Sequence, residues 1–126
     1  MVVSHYRSRR TPNGSIYRSY RGRRLAELGS VPALTRIGEK RVRTERTRGG
    51  NEKTRLLGEN KVNLYDPSTK KFDVVEVDSV LESPADINYV RRNIMVKGSI
   101  VETKKGKAKI TNRPGQEGAI NAVLIK

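Results

Sequence analysis

Apolar and polar positions alternate most cleanly in the second half of the chain. Lys61-Val62-Asn63-Leu64-Tyr65 alternates as a half-buried strand does, and Asp66-Pro67-Ser68-Thr69 follows as a turn with Pro at its second position. Residues 71–80 resume as a strand that offers Phe72, Val74, Val75 and Val77 to a core. Ser83-Pro84-Ala85-Asp86 has the pattern of a helix start, with an N-cap Ser, Pro at the first position and an acid in the first turn. Ile87 and Val90, three apart, are expected to face inward on that short helix. Residues 93–102 read as a further strand, which Lys104-Lys105-Gly106 turns into another at 107–111. Arg113-Pro114-Gly115-Gln116 is a loop, and residues 119–125 read as a terminal buried strand. Short strands between Gly and Pro turns predict a mainly all-β fold. The expected architecture is a small β-barrel or sandwich of five to six short strands with one short helix.

The first half carries a different pattern. Two strand-like runs flank Gly49-Gly50-Asn51 within residues 41–55 and predict a β-hairpin. Alternation puts Arg41, Arg43 and Glu45 on one side of its first strand and Val42, Thr44 and Arg46 on the other. Like charges that dense disfavour the hairpin until an anion lies against it. Upstream, residues 1–24 show no periodicity around the Pro12-Asn13-Gly14 turn and read as an extended basic arm. Residues 25–28 have room for one or two helical turns, with Gly29 as the stop. The expected division is a basic N-terminal arm at 1–40 and a barrel-like domain at 41–126, with the basic hairpin at 41–57.

Composition sharpens this picture. The chain has 126 residues and a formal charge of +14, from 27 Lys plus Arg and 13 Asp plus Glu. Residues 1–55 hold 15 of the cations and only four acids, net +11; residues 56–126 hold 12 cations and nine acids, net +3. Thirteen of the first 15 cations are Arg, whose planar fork matches phosphate and stacks on bases as Lys does not. Only 15 apolar residues fall in the first 55, against 28 in the other 71, so the first half is expected to be partly unstructured when alone. No apolar run approaches the roughly 18 residues of a membrane helix, and residues 1–10 lack the apolar stretch of a secretory signal. Without cysteine, a disulfide scaffold, a thiolate metal site and a Cys nucleophile are excluded, and one His cannot build a multi-His centre. No metal site and no cofactor are expected.

A charge of +11 over 55 residues calls for a polyanionic partner rather than a membrane, for which an amphipathic helix is missing. The expected phosphate-binding residues are Arg7, Arg9, Arg10, Arg18, Arg21, Arg23, Arg24, Arg36, Lys40, Arg41, Arg43, Arg46, Arg48, Lys53 and Arg55. Arg91, Arg92 and Arg113 join them from the second half. Arg91 and Arg92 also suit the C-terminus of the short helix. Residues 113–118 form either a tight loop or a Gly-rich phosphate cradle. Tyr6, Tyr17 and Tyr20, interleaved with Arg, are candidates for stacking on unpaired bases. Arg48-Gly49-Gly50, occurring once between strand-like runs, reads as a turn rather than a disordered RNA-binding box. His5 reads as an exposed or RNA-contacting residue. Asp73, Glu76 and Asp78 raise the alternative of a metal-dependent nuclease; the plainer reading is the polar outer face of a strand.

These residues also carry a resemblance. Glu27-Leu28-Gly29, Pro32-Ala33-Leu34-Thr35, Arg48-Gly49-Gly50-Asn51, Arg55-Leu56-Leu57, Asp66-Pro67, Tyr89-Val90-Arg91-Arg92-Asn93-Ile94, Lys97-Gly98, Glu102-Thr103 and Arg113-Pro114-Gly115-Gln116 fall in family order. The chain resembles small-subunit ribosomal protein eight of the archaeal and eukaryotic type, in its short archaeal form. The early motif departs from the family's usual Thr-Gly-Gly and reads Thr11-Pro12-Asn13-Gly14. The resemblance implies a non-enzymatic constituent of the small ribosomal subunit in the cytoplasm. Such a protein binds ribosomal RNA beside neighbouring ribosomal proteins, as a monomer within the ribosome. A non-ribosomal RNA-binding or ribosome-assembly factor is the alternative that composition alone leaves open.

Overall fold

The structure, a computed structural model, describes residues 3–125. The chain divides into two compact units, one ending at Pro32 and the other beginning at Ala33.

The first unit has little regular structure. β1 (Val3–Ser4) pairs antiparallel with β2 (Leu28–Gly29). The helical turns expected at 25–28 are one tight 3-10 turn, Leu25–Glu27. Gly29 serves as more than a helix stop, because a Cβ there would lie 2.1 Å from His5 Nε2. It leaves room for the imidazole. The segment expected to be extended is folded back at its turn. The Thr11 N–H donates to the Ser15 carbonyl at 2.8 Å, the Gly14 N–H to the Thr11 carbonyl at 3.0 Å, and Arg10 bridges Ile16 antiparallel. Gly14, at φ +85°, supplies the left-handed backbone this turn needs.

The second unit opens with a two-stranded ribbon, β3 (Arg41–Arg46) and β4 (Glu52–Gly58). Gly49 and Gly50, both at φ +76°, turn one strand into the other, as the sequence predicts. Five further strands follow: β5 (Lys61–Asp66), β6 (Lys71–Glu82), β7 (Ile100–Thr103), β8 (Gly106–Ile110) and β9 (Asn121–Leu124). They form an antiparallel meander that closes into a barrel by parallel pairing of β5 with β9. The register puts Val62 against Val75 and Leu64 against Ala122, so inward residues of successive strands meet in layers. The core holds Val62, Leu64, Val75, Val77, Val101, Ala108, Ile110, Ile120 and Ala122. Val80 of β6, Leu56 of the ribbon and Met95 of an irregular segment complete it. Leu56 is 0% exposed, and its carbonyl accepts from the buried Thr35 hydroxyl at 2.7 Å. The ribbon's base is therefore part of the barrel core.

Three local expectations change. Phe72 and Val74 lie outside the core, 77% and 68% exposed, because they share the parity opposite to Val75 and Val77. The helix (α1, Asn88–Arg91) begins five residues after Ser83, since β6 runs on to Glu82. Ile87 stands at its N-cap position, and just ahead of it Asp86 Oδ1, rather than Ser83, accepts the Asn88 N–H at 2.8 Å. Ile87 is thereby left 83% exposed, while Val90 packs on the core. The strand expected at 93–102 is confined to Ile100–Thr103. Asn93 at φ +49° and Gly98 at φ +89° break it, and Ile94 and Met95 are buried without strand pairing beyond one bridge to Arg36.

Candidate nucleic-acid interface

Within the first unit, the arginines and tyrosines are organised against one another. The Arg7 guanidinium lies 4.0 Å from the centroid of the Tyr17 ring and 5.7 Å from that of Tyr6. Arg21 lies 5.2 Å from the Tyr20 ring and donates to its hydroxyl at 2.8 Å. These cation–π contacts orient the guanidiniums and occupy ring surface that the sequence offers to bases. Tyr20 nonetheless remains 77% exposed.

Arg21 also forms a two-point pair with Glu27, at 2.6 and 3.2 Å. That hydrogen bond, followed by the one to Tyr20, holds its guanidinium above its ordinary range. Glu27 is pulled below the carboxylate range, first by Arg21 and then by the Arg24 backbone N–H at 3.0 Å. Arg21, which the sequence places among the phosphate binders, is thus engaged by Glu27 and Tyr20. Arg10 donates to the Gly14 carbonyl at 2.7 Å and braces the turn. Arg9, Arg18, Arg23 and Arg24 are exposed, with no acidic partner among the described residues.

In the second unit the ribbon is the basic feature. Its register opposes Arg43 to Arg55, Glu45 to Lys53 and Arg46 to Glu52. One face carries Arg43, Glu45, Lys53 and Arg55; the other carries Val42, Thr44, Arg46, Thr54 and the buried Leu56. Like charges directly across a strand pair repel. Glu45 relieves that repulsion, lying 3.1 Å from Arg43 Nε and accepting from Arg55 Nε at 2.9 Å. Sequence reasoning grouped Glu45 with Arg41 and Arg43 but assigned it no role. The Arg-x-Arg-x-Glu alternation, read together with the hairpin register, carried that signal. Arg41, Arg46 and Arg48 are exposed without an acidic partner among the described residues.

The remaining candidates are dispersed. Lys40 pairs with the buried Glu59 at 3.5 Å, and Glu59 Oε1 also accepts the Asn60 and Lys61 backbone N–H groups at 3.2 and 3.3 Å. Arg36 spends its backbone on pairing, taking the Leu57 carbonyl and giving its own to Glu59, and exposes its side chain. Arg91 and Arg92 close α1 and are exposed, as is Arg113.

Of the two readings of residues 113–118, the packing favours the tight loop. Pro114 is buried, the Gln116 and Glu117 N–H groups donate back to Arg113 and Pro114, and Gly115 sits against the Ala33 backbone. Two of its amides are thus taken up within the loop, which packs tightly against the residues around Ala33.

The acidic residues do not converge either. Asp73 lies on the opposite parity from Glu76 and Asp78 and pairs with Lys105 at 2.6 Å. Glu76 pairs with Lys104, which lowers the carboxyl and raises the ammonium from their ordinary values, chiefly through their shared hydrogen bond. These are solvated strand-to-turn ion pairs, as the plainer reading of the sequence has it.

Comparison with known proteins finds relatives over nearly the whole chain. A family model described as Ribosomal protein S8e matches residues 4–125. The small ribosomal subunit protein eS8 of Methanobrevibacter smithii is 55% identical over 125 residues, covering 99% of this chain and 100% of the relative. The protein of the same name from Methanocorpusculum labreanum is 48% identical over 95% of this chain and 96% of its own length. That from Sulfolobus acidocaldarius is 49% identical over 84% of each. The chain therefore belongs to the ribosomal protein S8e family, whose members are structural components of the ribosome and not enzymes.

Proposed function

We propose that this chain is a structural constituent of the small ribosomal subunit that binds its ribosomal RNA through the Arg-rich arm and the β3–β4 ribbon. In that setting it works as a monomer in the cytoplasmic ribosome, beside other ribosomal proteins. The observation that carries the reading is the near-complete match to the family, combined with exposed, unneutralised arginines concentrated in residues 1–55. The barrel supplies a rigid base. Leu56 ties the ribbon to it, so the ribbon's cations are presented from a fixed platform. Each phosphate neutralised releases condensed counterions, which makes affinity fall steeply with salt. Duplex RNA is read through shape, phosphate and 2′-hydroxyl contacts, with stacking where bases are splayed.

The test is binding of the purified chain to small-subunit ribosomal RNA transcribed in vitro, titrated across salt. Replacing Arg41, Arg43 and Arg46 together by Ala weakens binding and lowers the log–log salt slope by about 2 to 3, near one unit for each phosphate that is no longer neutralised. An unchanged slope removes the ribbon from the interface.

A further inference from the structure

We propose that Glu45 is a positioning residue that assembles Arg43 and Arg55 into one phosphodiester-binding clamp on the half-buried face of the ribbon that carries them, with Arg43 its exposed arm. The proposal rests on the RNA-binding reading above and deepens it. It names a site, its ligand chemistry and the acid that builds it.

An acid in the middle of an anion-binding surface needs a reason. The hairpin register sets Arg43 directly against Arg55, an arrangement two guanidiniums do not adopt unaided. One carboxylate serves both, Oε1 toward Arg43 Nε at 3.1 Å and Oε2 toward Arg55 Nε at 2.9 Å. Both contacts use Nε. A guanidinium has five N–H donors in a planar fork, and engaging Nε leaves its two terminal nitrogens as an intact edge. That edge matches two phosphate oxygens. The trio carries two positive charges and one negative, so it remains cationic, and Lys53 faces Glu45 across the strands.

The two arginines are not equivalent. The Arg55 side chain is 17% exposed and largely seated, whereas Arg43 is 66% exposed and depends on Glu45 for its direction.

Magnitudes decide what Glu45 does for binding. Ordering one long side chain at an interface costs roughly two- to tenfold in affinity, so losing the tether to two arginines costs about fivefold or more. Removing one half-buried acid that stays in contact with solvent returns less than about fivefold through electrostatics. Orientation wins, and a variant with more positive charge binds RNA less well.

The experiment uses the full chain and in-vitro transcribed small-subunit ribosomal RNA, with filter binding across salt and a thermal melt of each variant. Glu45→Gln keeps size and removes charge. The expected net result is binding weaker by about twofold or more, with no fall in salt slope, since every cation remains. Arg43→Lys keeps charge but loses the fork. Because Arg43 is mostly exposed, the variant retains its fold; its expected binding is at least about threefold weaker. In an Arg43→Ala background Glu45→Gln costs less than it does alone, because one of its two dependants is gone. Equal or tighter binding by Glu45→Gln, or unchanged binding by Arg43→Lys, overturns the clamp while leaving RNA binding intact. Failure of the unaltered chain to bind this RNA at low salt overturns the RNA reading itself, and the clamp with it.

Discussion

Leu56 and Leu57 are neighbours on one strand with opposite environments, and that contrast makes a quantitative test of how the ribbon is held. Leu56 is 0% exposed within the barrel core; Leu57, pointing the other way, is 39% exposed. Leu56→Ala removes the equivalent of about three methylenes, roughly 2.4 kcal/mol of transfer free energy. It also leaves a cavity that closely packed neighbours refill only in part, and together these reach about 3–4 kcal/mol. A domain of this size gains only about 5–10 kcal/mol from folding, so the loss lowers the midpoint by roughly 12–25 °C. Leu57→Ala changes stability by less than about 1 kcal/mol. The chain has no Trp, so far-ultraviolet circular dichroism in urea and on heating is the readout. Leu56→Ala lowers the urea midpoint with an unchanged slope if the ribbon's base and the barrel unfold as one unit. Equal costs for the two substitutions, or a Leu56→Ala cost below about 1 kcal/mol, refute the claim that the barrel core anchors the ribbon.

Gly115→Ala is expected to destabilise by about 1–3 kcal/mol, because its Cβ falls 2.7 Å from the Ala33 carbonyl oxygen, and backbone does not yield cheaply; urea denaturation measures it. Asp66 is held below its ordinary value, first by the Ser68 backbone N–H at 2.8 Å and then by the Thr69 hydroxyl at 2.9 Å. A depressed carboxylate contributes stability that is present above its unfolded value, near pH 4, and lost as pH falls through the folded one. Melting temperatures of the chain and of Asp66→Asn should therefore differ at pH 7 and converge toward pH 3. A constant difference counts against the turn's hydrogen bonds as its source. Phe72→Ser, although it removes the chain's one Phe, is expected to cost less than about 1.5 kcal/mol. That ring is 77% exposed and its described aromatic contact is Tyr65, with centroids 4.8 Å apart. A loss typical of a core Phe would place it inside the barrel.

The features that were legible in the sequence are those written in local chemistry. Gly49-Gly50 between β-branched runs specifies the ribbon, because those positions need positive φ, and alternation at 61–65 gives β5 its inward Val62 and Leu64. Where a local signal competes with pairing, reading along the chain fails. Ser83-Pro84 has the chemistry of a helix start, but β7 pairs with β6 as far as Glu82, and the helix starts later, behind an Asp86–Asn88 turn. Phe72 and Val74 look like core because apolar residues lie on both faces there; only the partner strand, Val62 against Val75, fixes the parity. Barrel closure depends on β5 meeting β9 nearly 60 residues later, a pairing without local trace. At the candidate interface, charge located the basic half. It did not separate arginines paired with an acid, such as Arg21 on Glu27, from those without one among the described residues, because pairing depends on register and side-chain reach.

The central claim, a stable place in the small ribosomal subunit, is tested most directly by sucrose-gradient sedimentation of a native lysate with immunodetection of this chain. A ribosomal chain travels with the small subunit and stays there through a moderate salt wash. A chain that remains at the top of the gradient at low salt is no stable subunit component, and a free nucleic-acid binder or an assembly factor becomes the reading to pursue.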